Sequence, residues 1–390
     1  VNNALIAIKK IGVNYKRRKK FIEIYGVGIN GFKIKKKHIL NAGNSGTLAR
    51  CITGLCSGIN GKIKLVGDES LSRRDFSRVI TPLRLFGVNI KSNKNNLPIE
   101  LKGTELIRPI NFFESKGSAQ IKTCIILSAI NAPGITKIKA KKSRNHTELL
   151  LKYLNYPIKI KKNKNHDLIE VQGLKQFRSF EYVVPGDISS ASFFIVLTLL
   201  SRKSSLILKN INVNPLRAGI INILNRMNAQ IKIYDKRNYK GELIGSIKVK
   251  SANNFKPINC PKSLNSSAID EFLLIFLIAA KARGISTFKN LDELNKKESP
   301  RLDIAVDFLK MIGVKVKKNN SNIKIYGNPD LKLNRNYHVK AFLKDHRVFM
   351  MSVIAALTLG GKWKINDKDS INTSFPNFLK LTKKLGATFH

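Results

Sequence analysis

One local pattern recurs six times along the chain: a helical segment ends at a glycine or asparagine, and strand-like alternation, a polar turn and usually a second strand follow. LRLFGVNIKSNKNNLPIEL and LKMIGVKVKKNNSNIKIY are two clear copies. A repeat of this kind indicates one supersecondary unit used several times, because each unit needs its neighbours to bury its apolar face. The residues at which the helical segments end, called pivots below, are Gly12, Gly87, Asn155, Asn228, Gly313 and Gly386.

The segments around the pivots predict how each unit is built. Glycine and asparagine are the residues that most easily adopt the left-handed conformation at the end of a helix. A further strand and helix lie between successive pivots, as in GKIKLVGD followed by SRVITPLRLF, so one unit has the predicted order βαβαββ. Six units predict an α/β chain of two barrel-like domains with three units each. Pro185 and Gly186 precede a new helical segment, and they set the predicted domains at 1–184 and 185–390.

The first unit is shorter than the others. Gly12 lies close to the first residue, whereas each later pivot is preceded by about seventy residues of its own unit. The chain also begins with Val1 and not with methionine. We therefore expect an amino-terminal domain whose first unit is truncated; a genuinely shortened domain is the alternative.

Composition restricts the class of protein. The chain has 71 Lys and Arg against 25 Asp and Glu, a formal net charge of +46, and 43% hydrophobic residues, which excludes acidic disorder and allows ordinary cores. The basic residues are spread along the chain among Ile and Asn residues, and the codons of Lys, Asn and Ile are all AT-rich. This pattern favours drift of the genome's base composition as the origin of the charge. Selection for the binding of a polyanion is the alternative. Because the four cysteines form no CxxC pair and no apolar stretch approaches the ~18 residues of a membrane span, we expect a cytoplasmic protein with reduced thiols.

Polar segments in the first half precede or open predicted helices. NAGNSGTLAR contains Gly46 directly before an apolar helix, where free N–H groups favour a phosphate or carboxylate. GDESLSRRDFSRV places Arg73, Arg74 and Arg78 at the opening of another helix, where basic side chains are unfavourable unless they face an anion. KGSAQIKT and SRNHTE add hydroxyl, amide and guanidinium donors. These segments predict anion binding, although loops and caps without a ligand have similar sequences.

The second half brings acidic and basic residues together at three helix openings. AIDEFLLIFLIAAKARG begins with Asp270 and Glu271, of which ordinary helix capping explains one. NKKESPRLD and KDHRVFM contribute the remaining charged residues, namely Lys296, Lys297, Glu298, Arg301, Asp345, His346 and Arg347. Such convergence is expected where anionic ligands meet a general acid and base. The sequence contains no metal-ligand pattern, Walker loop, dinucleotide fingerprint or G-x-S-x-G elbow, which argues against nucleotide-dependent, redox and triad chemistry.

Ten ordered segments resemble those of the 5-enolpyruvylshikimate-3-phosphate (EPSP) synthase family, the 3-phosphoshikimate 1-carboxyvinyltransferases of the shikimate pathway. They are GNSGTLAR, GDESLSRRDFSRV, SAQIKTCIILSAINAPG, SRNHTE, PGDISSASFF, NPLRAGI, IDEFLLIFLIAAKARG, KKESPRL, DHRVFM and TSFPNF. The resemblance covers nearly the whole chain. The GNSGT, KES and DHR forms distinguish it from the UDP-N-acetylglucosamine enolpyruvyl transferases, which share the fold. It implies two inside-out α/β domains, each of three βαβαββ units.

The resemblance also implies a reaction. In this family the 5-hydroxyl of shikimate 3-phosphate adds to C2 of phosphoenolpyruvate while C3 is protonated, and phosphate then leaves the tetrahedral intermediate. The product leads to chorismate and the aromatic amino acids. The resemblance further implies a monomer that needs no cofactor and binds neither a membrane nor a specific nucleic acid.

Functional residues of the family carry over to matching positions of this sequence. The implied catalytic residues are Asp270, Glu298, Lys297 and His346. The residues implied to bind shikimate 3-phosphate are Ser118, Ala119, Gln120 and Arg144, together with Asp270 and Lys297. Those implied to bind phosphoenolpyruvate are Gly46, Arg74, Gln120, Arg301 and Arg347. Gly46 is also the small residue typical of forms that glyphosate inhibits.

The sequence departs from the family pattern in a few places. The family's amino-terminal Gly-(Asp/Ser)-Lys-Ser segment and the Arg that follows it are missing, because the chain begins after them. Asp75, Asn145 and Pro300 stand where Pro, Asp and Asp are usual. Two alternatives to a working synthase therefore stay open: an inactive or partial relative, and a basic polyanion-binding protein.

Overall fold

The computed structural model describes residues 1–34, 38–340 and 342–389. The chain divides into two compact units, Val1–Tyr182 and Val183–His390, so the division falls two residues before the sequence-predicted boundary. Each unit has its own apolar core. They are called unit 1 and unit 2 below and are described separately.

Unit 1 contains six helices and ten strands in its described residues. In chain order they are α1 (Asn2–Lys10), β1 (Asn14–Arg17), β2 (Ile22–Tyr25), β3 (His38–Asn41), α2 (Gly46–Leu55), β4 (Lys62–Val66), α3 (Glu69–Ser72), α4 (Ser77–Leu85), β5 (Asn89–Asn93), β6 (Asn96–Lys102), β7 (Asn111–Glu114), α5 (Ala119–Asn131), β8 (Ile135–Lys141), α6 (His146–Tyr153), β9 (Ile158–Lys162) and β10 (His166–Gln172).

Two four-stranded sheets of unit 1 have the same topology. Their strand orders are β3-β4-β6-β5 and β7-β8-β10-β9. In each sheet the first two strands are parallel and are joined by a helix, whereas the other neighbours are antiparallel. A parallel pair needs a crossover helix and an antiparallel pair needs only a short turn. The order βαβαββ predicted from the repeat is therefore confirmed for both sheets. The hairpin β1-β2 completes the strands of this unit.

Unit 2 contains seven helices and eight strands in its described residues. They are α7 (Ile188–Leu200), β11 (Ser205–Asn212), α8 (Gly219–Arg226), β12 (Gln230–Tyr239), β13 (Glu242–Lys250), α9 (Asn265–Ala268), α10 (Phe272–Ala280), β14 (Gly284–Phe288), α11 (Arg301–Met311), β15 (Lys315–Asn319), β16 (Asn322–Gly327), β17 (Leu333–Val339), α12 (His346–Leu359), β18 (Gly360–Ile365) and α13 (Phe378–Lys384).

The sheets of unit 2 follow the same plan with shorter first strands. Their orders are β11-β13-β12, β14-β16-β15 and the parallel pair β17-β18. In the first two sheets a single parallel bridge replaces the first strand that is present in the sheets of unit 1. Gly186 forms this bridge with Ile211 in the first sheet, and Asn259 forms it with Thr287 in the second. The repeat is thus preserved although these first strands shrink to one residue pair.

The central helices are apolar on all sides. All nine residues of α10 are buried, and α7, α10 and α12 contact one another in unit 2. In unit 1, α5 is buried against α2 and α4. By contrast, β8 alternates exposed and buried residues along its whole length. Helices without a polar face belong in an interior, and sheets of alternating residues cover them with one face towards water. This arrangement confirms the inside-out α/β fold.

All six pivots have positive φ. The values run from 55° at Asn155 to 97° at Gly386, within the left-handed region that glycine and asparagine tolerate. Each pivot follows the last residue of its helix by two positions, as Gly12 follows Lys10 and Gly313 follows Met311. The predicted helix ends are therefore confirmed. Because the next strand starts two or three residues after each of the first five pivots, the pivot also sets the direction in which the chain leaves the helix.

Among residues 1–34, 38–340 and 342–389, no single helix is long and apolar enough to cross a membrane. Two consecutive helical segments, Lys262–Ala268 and Phe272–Ala280, reach the length and apolar composition of a membrane span only when they are counted together across a bend of 119°. The second member is the buried helix α10.

Candidate active site

The opening of α2 concentrates positive charge. Ser45 caps the helix by accepting a hydrogen bond from the Leu48 N–H at 3.1 Å, and Gly46 is the first helical residue. A Cβ atom at Gly46 would lie 2.6 Å from Nη1 of Arg50 and 2.9 Å from Nη1 of Arg74. Two guanidinium groups therefore lie against the bare backbone of this residue. Together with the positive end of the helix dipole they favour a bound anion.

Arg50 connects this helix opening to α5. Its Nη1 donates to the Gln120 side-chain oxygen at 3.0 Å and to the Gly46 carbonyl at 3.2 Å, and its guanidinium lies 4.9 Å from the centre of the Phe76 ring. Gln120 in turn donates to the Thr47 hydroxyl at 2.7 Å. Three residues predicted to bind phosphoenolpyruvate, Gly46, Arg74 and Gln120, are thus brought together by Arg50. Sequence reasoning missed Arg50, although its position one helical turn after Gly46 was a usable signal.

The arginine-rich segment before α4 differs from the sequence prediction. Arg73 does not open α4; it ends α3 and pairs with Glu69 in an exposed ion pair of the helix surface. The prediction failed because the extra short helix α3 separates Arg73 from α4, which begins only at Ser77. The Asp75 carboxylate accepts hydrogen bonds from the Ser77 N–H at 2.8 Å and its hydroxyl at 2.6 Å. Asp75, which stands where the family usually has Pro, thereby stabilises the start of α4.

The openings of α5 and α6 carry the residues predicted to bind shikimate 3-phosphate. Ser118 caps α5 by accepting from the Ile121 N–H at 3.4 Å, and Ala119 and Gln120 form the first turn. Arg144 lies in the short connection between β8 and α6, which begins at His146. The two first turns are joined side by side, because the hydroxyls of Thr123 and Thr147 are 2.6 Å apart.

In unit 2 the Asp270 carboxylate lies among four cations. Nitrogen atoms of Lys297, Arg301, Arg347 and Arg217 lie 3.3, 3.6, 3.9 and 4.0 Å from its oxygens. Arg347 also donates to the Asp270 backbone carbonyl at 3.1 Å. The side chain of Asp270 is only 11% exposed, so these charges interact with little screening by water. Ammonium and guanidinium groups that converge at one place suit the binding of an anionic ligand, and three of the four are shared with further carboxylates.

Glu271 is one of the two carboxylates of which helix capping explains one. Its side chain makes no capping hydrogen bond to the described backbone of α10. Instead, its carboxylate accepts hydrogen bonds from Arg217 Nη1 at 3.1 Å and from the Ser189 hydroxyl. Arg217, which also donates to Ser189, is buried. A hydrogen bond from a charged guanidinium is stronger than one from a helix N–H, so Glu271 pairs with a residue distant in sequence. Arg217 itself was missed, since the segment NPLRAGI gives no local sign of a partner.

Arg301 is held by a second carboxylate network. Its Nε and Nη2 donate to the two oxygens of Asp345 at 2.8 and 3.2 Å, and Nη2 also donates to Glu298 at 2.5 Å. Arg301 is 1% and Asp345 0% exposed. Burial alone would raise the pKa of Asp345, but the guanidinium of Arg301 holds that pKa below its usual range. Asp345, which sequence reasoning did not assign to the site, also caps α12 through the Arg347 N–H.

His346 is neutral near pH 7. Burial, and then the charge of Arg347, lower the pKa of its imidazole from 6.5 to about 4. Its Nδ1 lies 3.5 Å from the Thr373 hydroxyl. The expectation that His346 completes the wall of residues around the intermediate stays a prediction, but burial and the charges of Arg347 and Arg301 disfavour a positive charge on the imidazole itself. A neutral imidazole instead offers one hydrogen-bond donor and one acceptor.

The depressed pKa of His346 predicts a loss of stability in acid. An unfolded chain takes up a proton on this residue below pH ~6.5, whereas the folded chain does so only near pH 4. The free energy of unfolding should therefore fall as the pH drops from 6.5 to 4, by as much as ~3 kcal/mol from this residue. Urea unfolding at pH 7 and pH 4.5 measures the loss, and His346→Gln is the matched control. Equal losses in both proteins would contradict the prediction.

The charged residues predicted for each unit therefore form compact sets. Unit 2 brings together Asp270, Lys297, Glu298, Arg301, His346 and Arg347, whereas unit 1 brings together Gly46, Arg74 and Gln120, with Ser118 and Ala119 on the same turn as Gln120. Arg144 lies at the next helix opening. Within the part of the chain that the structure describes, no group of three or more His, Cys, Asp or Glu residues could hold a metal ion. The four cysteines are free, and three of them are buried.

Comparison of the sequence with protein families gives one match over residues 1–381, to EPSP synthase (3-phosphoshikimate 1-carboxyvinyltransferase). A 3-phosphoshikimate 1-carboxyvinyltransferase of Vesicomyosocius okutanii is 39% identical over 390 residues, which cover 99% of this chain and 87% of that protein. One from Ruthia magnifica is 37% identical and covers 98% and 86%.

Solved structures of the same fold agree with these sequence matches. An EPSP synthase from Acinetobacter baumannii has a TM-score of 0.85 and 31% identity, with 99% of this chain and 87% of that chain covered. The enolpyruvyl transferase NikO from Streptomyces tendae has a TM-score of 0.74 at 14% identity, a likeness that concerns the fold alone.

Proposed function

We infer that this chain, which belongs to the EPSP synthase family, is a 3-phosphoshikimate 1-carboxyvinyltransferase. It transfers the enolpyruvyl group of phosphoenolpyruvate to the 5-hydroxyl of shikimate 3-phosphate and releases phosphate, a step of aromatic amino acid biosynthesis. The observation that carries this inference from the structure is the position of Asp270 among Lys297, Arg301, Arg347 and Arg217. A carboxylate in contact with several cationic side chains combines a proton acceptor with binding groups for an anion.

Asp270 and Glu298 are proposed to handle the two protons of the reaction. Asp270 orients or deprotonates the 5-hydroxyl as it attacks C2 of phosphoenolpyruvate. Glu298 shuttles a proton at C3: it gives the proton during the addition and takes one back from C3 when phosphate leaves the tetrahedral intermediate. Support comes from Arg301, which contacts both carboxylates: its Nη1 lies 3.6 Å from Asp270 and its Nη2 lies 2.5 Å from Glu298. One guanidinium group therefore positions both side chains. Lys297 and the neutral His346 are proposed to stabilise the tetrahedral intermediate by charge and by hydrogen bonding, respectively.

The other residues that match the family's motifs are proposed to bind the two substrates. Gly46, Arg74, Gln120, Arg301 and Arg347 hold the phosphate and carboxylate of phosphoenolpyruvate, for which planar guanidinium groups are well suited. The first turn of α5 and the segment before α6 are proposed to bind shikimate 3-phosphate through Ser118, Ala119, Gln120 and Arg144. The family's motifs assign Asp270 and Lys297 to the same substrate. To the residues proposed to bind phosphoenolpyruvate we add Arg50, because it contacts both Gly46 and Gln120.

A phosphate-release assay tests the proposed function. We expect release only when shikimate 3-phosphate and phosphoenolpyruvate are both present, with one equivalent of enolpyruvyl product per phosphate. Release from phosphoenolpyruvate alone would point to a phosphatase, and no release would leave an inactive relative.

We further propose that the protein acts in the cytoplasm as a monomer and without a cofactor. Gel filtration would test the monomer, and activity after exhaustive dialysis against a chelator would test whether a metal cofactor is needed.

Replacing Gly46 by alanine should weaken the binding of phosphoenolpyruvate. The new Cβ would lie 2.6 Å from Arg50 Nη1 and 2.9 Å from Arg74 Nη1, so both guanidinium groups must move. Because one charge-assisted hydrogen bond contributes roughly 1.5–3 kcal/mol, we expect the KM for phosphoenolpyruvate to rise about tenfold or more. We also expect glyphosate to inhibit the wild-type enzyme and to inhibit this variant less. Steady-state kinetics with each substrate varied measures both effects.

Gly26→Ala is the matched control for this substitution. Apart from its chain neighbours, no atom of the described residues lies within 4 Å of a Cβ atom at Gly26, and its φ is not in the left-handed region. This variant should keep the wild-type KM. An unchanged KM in Gly46→Ala would show that Arg50 and Arg74 do not bind phosphoenolpyruvate at this helix opening.

A further inference from the structure

A buried ion pair joins the first turns of α5 and α6. Nζ of Lys122 lies 2.6 Å from Oε1 of Glu148, and the two side chains are 1% and 2% exposed. The hydroxyls of Thr123 and Thr147 make a second contact beside it at 2.6 Å. Two consecutive residues of α5 thus contact two consecutive residues of α6. The two contacts fix how far one helix opening can slide or rotate against the other.

The ion pair is poorly suited to a purely stabilising role. Removing two charges from water is costly, and their attraction compensates for this only when further hydrogen bonds satisfy the remaining donors and acceptors. Oε2 of Glu148 accepts no hydrogen bond from any described residue. Two apolar side chains of similar size would satisfy this place at no electrostatic cost. Unlike two packed apolar side chains, the ion pair defines a single distance between the helices.

The loop in front of α5 belongs to the same arrangement. The Glu114 carboxylate accepts hydrogen bonds from the N–H groups of Lys116 at 3.1 Å and Gly117 at 2.7 Å, which shape the turn before Ser118. Burial raises the pKa of Glu114, and the charge of Lys122 acts against this rise. A Cβ at Gly117 would lie 3.3 Å from the Lys142 carbonyl, so the loop also packs on the chain that leads to α6.

We propose that Lys122 and Glu148 are positioning residues that hold the openings of α5 and α6 in one register, so that Ser118, Gln120 and Arg144 bind the same molecule of shikimate 3-phosphate. Ser118 and Gln120 lie four and two residues before Lys122, and Arg144 lies four residues before Glu148. Neither member of the pair touches the ligand, since both are buried behind these side chains. The proposal rests on the proposed function, because it concerns the binding of that substrate.

Lys122→Met tests the proposal by a split between the two substrates. The variant keeps the length and the buried stem of the side chain but removes the charge. Because small misplacements of binding groups are costly, the KM for shikimate 3-phosphate should rise at least about tenfold. The KM for phosphoenolpyruvate should rise several-fold less, because only Gln120 among its proposed ligands lies at the opening of α5. Leu151→Ala is the matched control: it removes buried contacts of α6 and lowers stability without altering the pair. An equal rise of both KM values would overturn the proposal.

The double variant Lys122→Met with Glu148→Leu separates position from stability. Replacing a buried ion pair by apolar residues commonly restores stability. We expect the unfolding midpoint to return to the wild-type value while the KM for shikimate 3-phosphate stays raised. If that KM returned to normal together with stability, the pair would be merely structural and the proposal would be wrong.

Hydrogen exchange distinguishes failure of this proposal from failure of the proposed function. In the ligand-free protein, Lys122→Met should speed exchange of backbone amides in residues 143–149 as well as in 117–123, although the substitution lies only in α5. Leu151→Ala should leave 117–123 unchanged. Exchange confined to the mutated helix would overturn the proposal whatever the activity. Coupled exchange in a protein that releases no phosphate would support the held register and contradict only the proposed function.

Discussion

Glu298→Gln should reduce phosphate release by ~10²–10⁴-fold while the fold is retained. Glutamine has the shape of glutamate and can still accept the hydrogen bond that Arg301 Nη2 donates at 2.5 Å, but it cannot deliver a proton to C3 of phosphoenolpyruvate. The side chain is 20% exposed, so loss of its charge is tolerated far better than at a fully buried position. Turnover should fall at saturating concentrations of both substrates, because the lost interaction belongs to the transition state.

Asp270→Ala should abolish release as well. Lys297, Arg301, Arg347 and Arg217 would then lose the carboxylate that all four surround, so their mutual repulsion would disturb the anion site in addition to removing the proposed base. Asp270→Asn, which keeps the shape, separates these effects: turnover should fall with little change in KM.

A matched control is available on α11. Asp303→Asn alters an exposed carboxylate that pairs with Lys318 and accepts a hydrogen bond from Asn295, and neither partner belongs to the proposed site. This variant should release phosphate at the wild-type rate, and circular dichroism and thermal unfolding should show that every variant is folded. Near-normal turnover in Glu298→Gln or Asp270→Ala would remove these residues from the proposed proton transfers.

Arg301→Met should cause the largest loss of stability among the substitutions considered. The substitution removes the cation that pairs with the fully buried carboxylate of Asp345. This carboxylate then keeps only the hydrogen bonds from the Ser299 hydroxyl, at 2.8 Å, and from the Arg347 N–H among its described partners. Breaking a buried pair from one side costs ~3–5 kcal/mol. The pKa of Asp345, which Arg301 now holds low, should rise, so the variant should lose stability at a higher pH than the wild type as acid is added.

The exposed pair of Arg73 and Glu69 provides the comparison. Its side chains are 67% and 81% exposed, so Arg73→Met should change the free energy of unfolding by less than ~1 kcal/mol. Urea unfolding of both variants at pH 7 measures the contrast. Similar losses in the two would mean that Arg301 contributes to stability as a surface residue does, and the buried network would lose its proposed role.

The sequence predicted the repeat well because its signals are local. A glycine or asparagine two residues after a helix, followed by alternating residues, depends on backbone conformation and on the period of one strand, and all six pivots have positive φ. The sequence was less successful where short elements intervene. Helix α3 separates Arg73 from α4, and the first strands of two sheets in unit 2 are reduced to single bridges.

Helix openings were also identifiable from sequence, but their partners were not. Ser45, Ser118 and Asp345 cap their helices through backbone groups two or three residues away, which is a local property. The contact of Arg50 with Gln120 spans 70 residues, and that of Arg217 with Glu271 spans 54. Charge and spacing alone do not indicate such pairs, because any of the 71 basic residues could have been the partner.

By itself, then, the sequence determined the order of helices and strands, the sites at which helices end and the residues that match the family's motifs. The tertiary structure decided which of those residues meet: Arg301 with Asp345 across 44 positions, Arg347 with the Asp270 carbonyl across 77, and Lys122 with Glu148 between two helices. The physical reason is that helix ends and strand alternation follow from short-range sterics and hydrogen bonding. Charge networks and pKa values depend instead on which distant elements pack together and on how completely they exclude water.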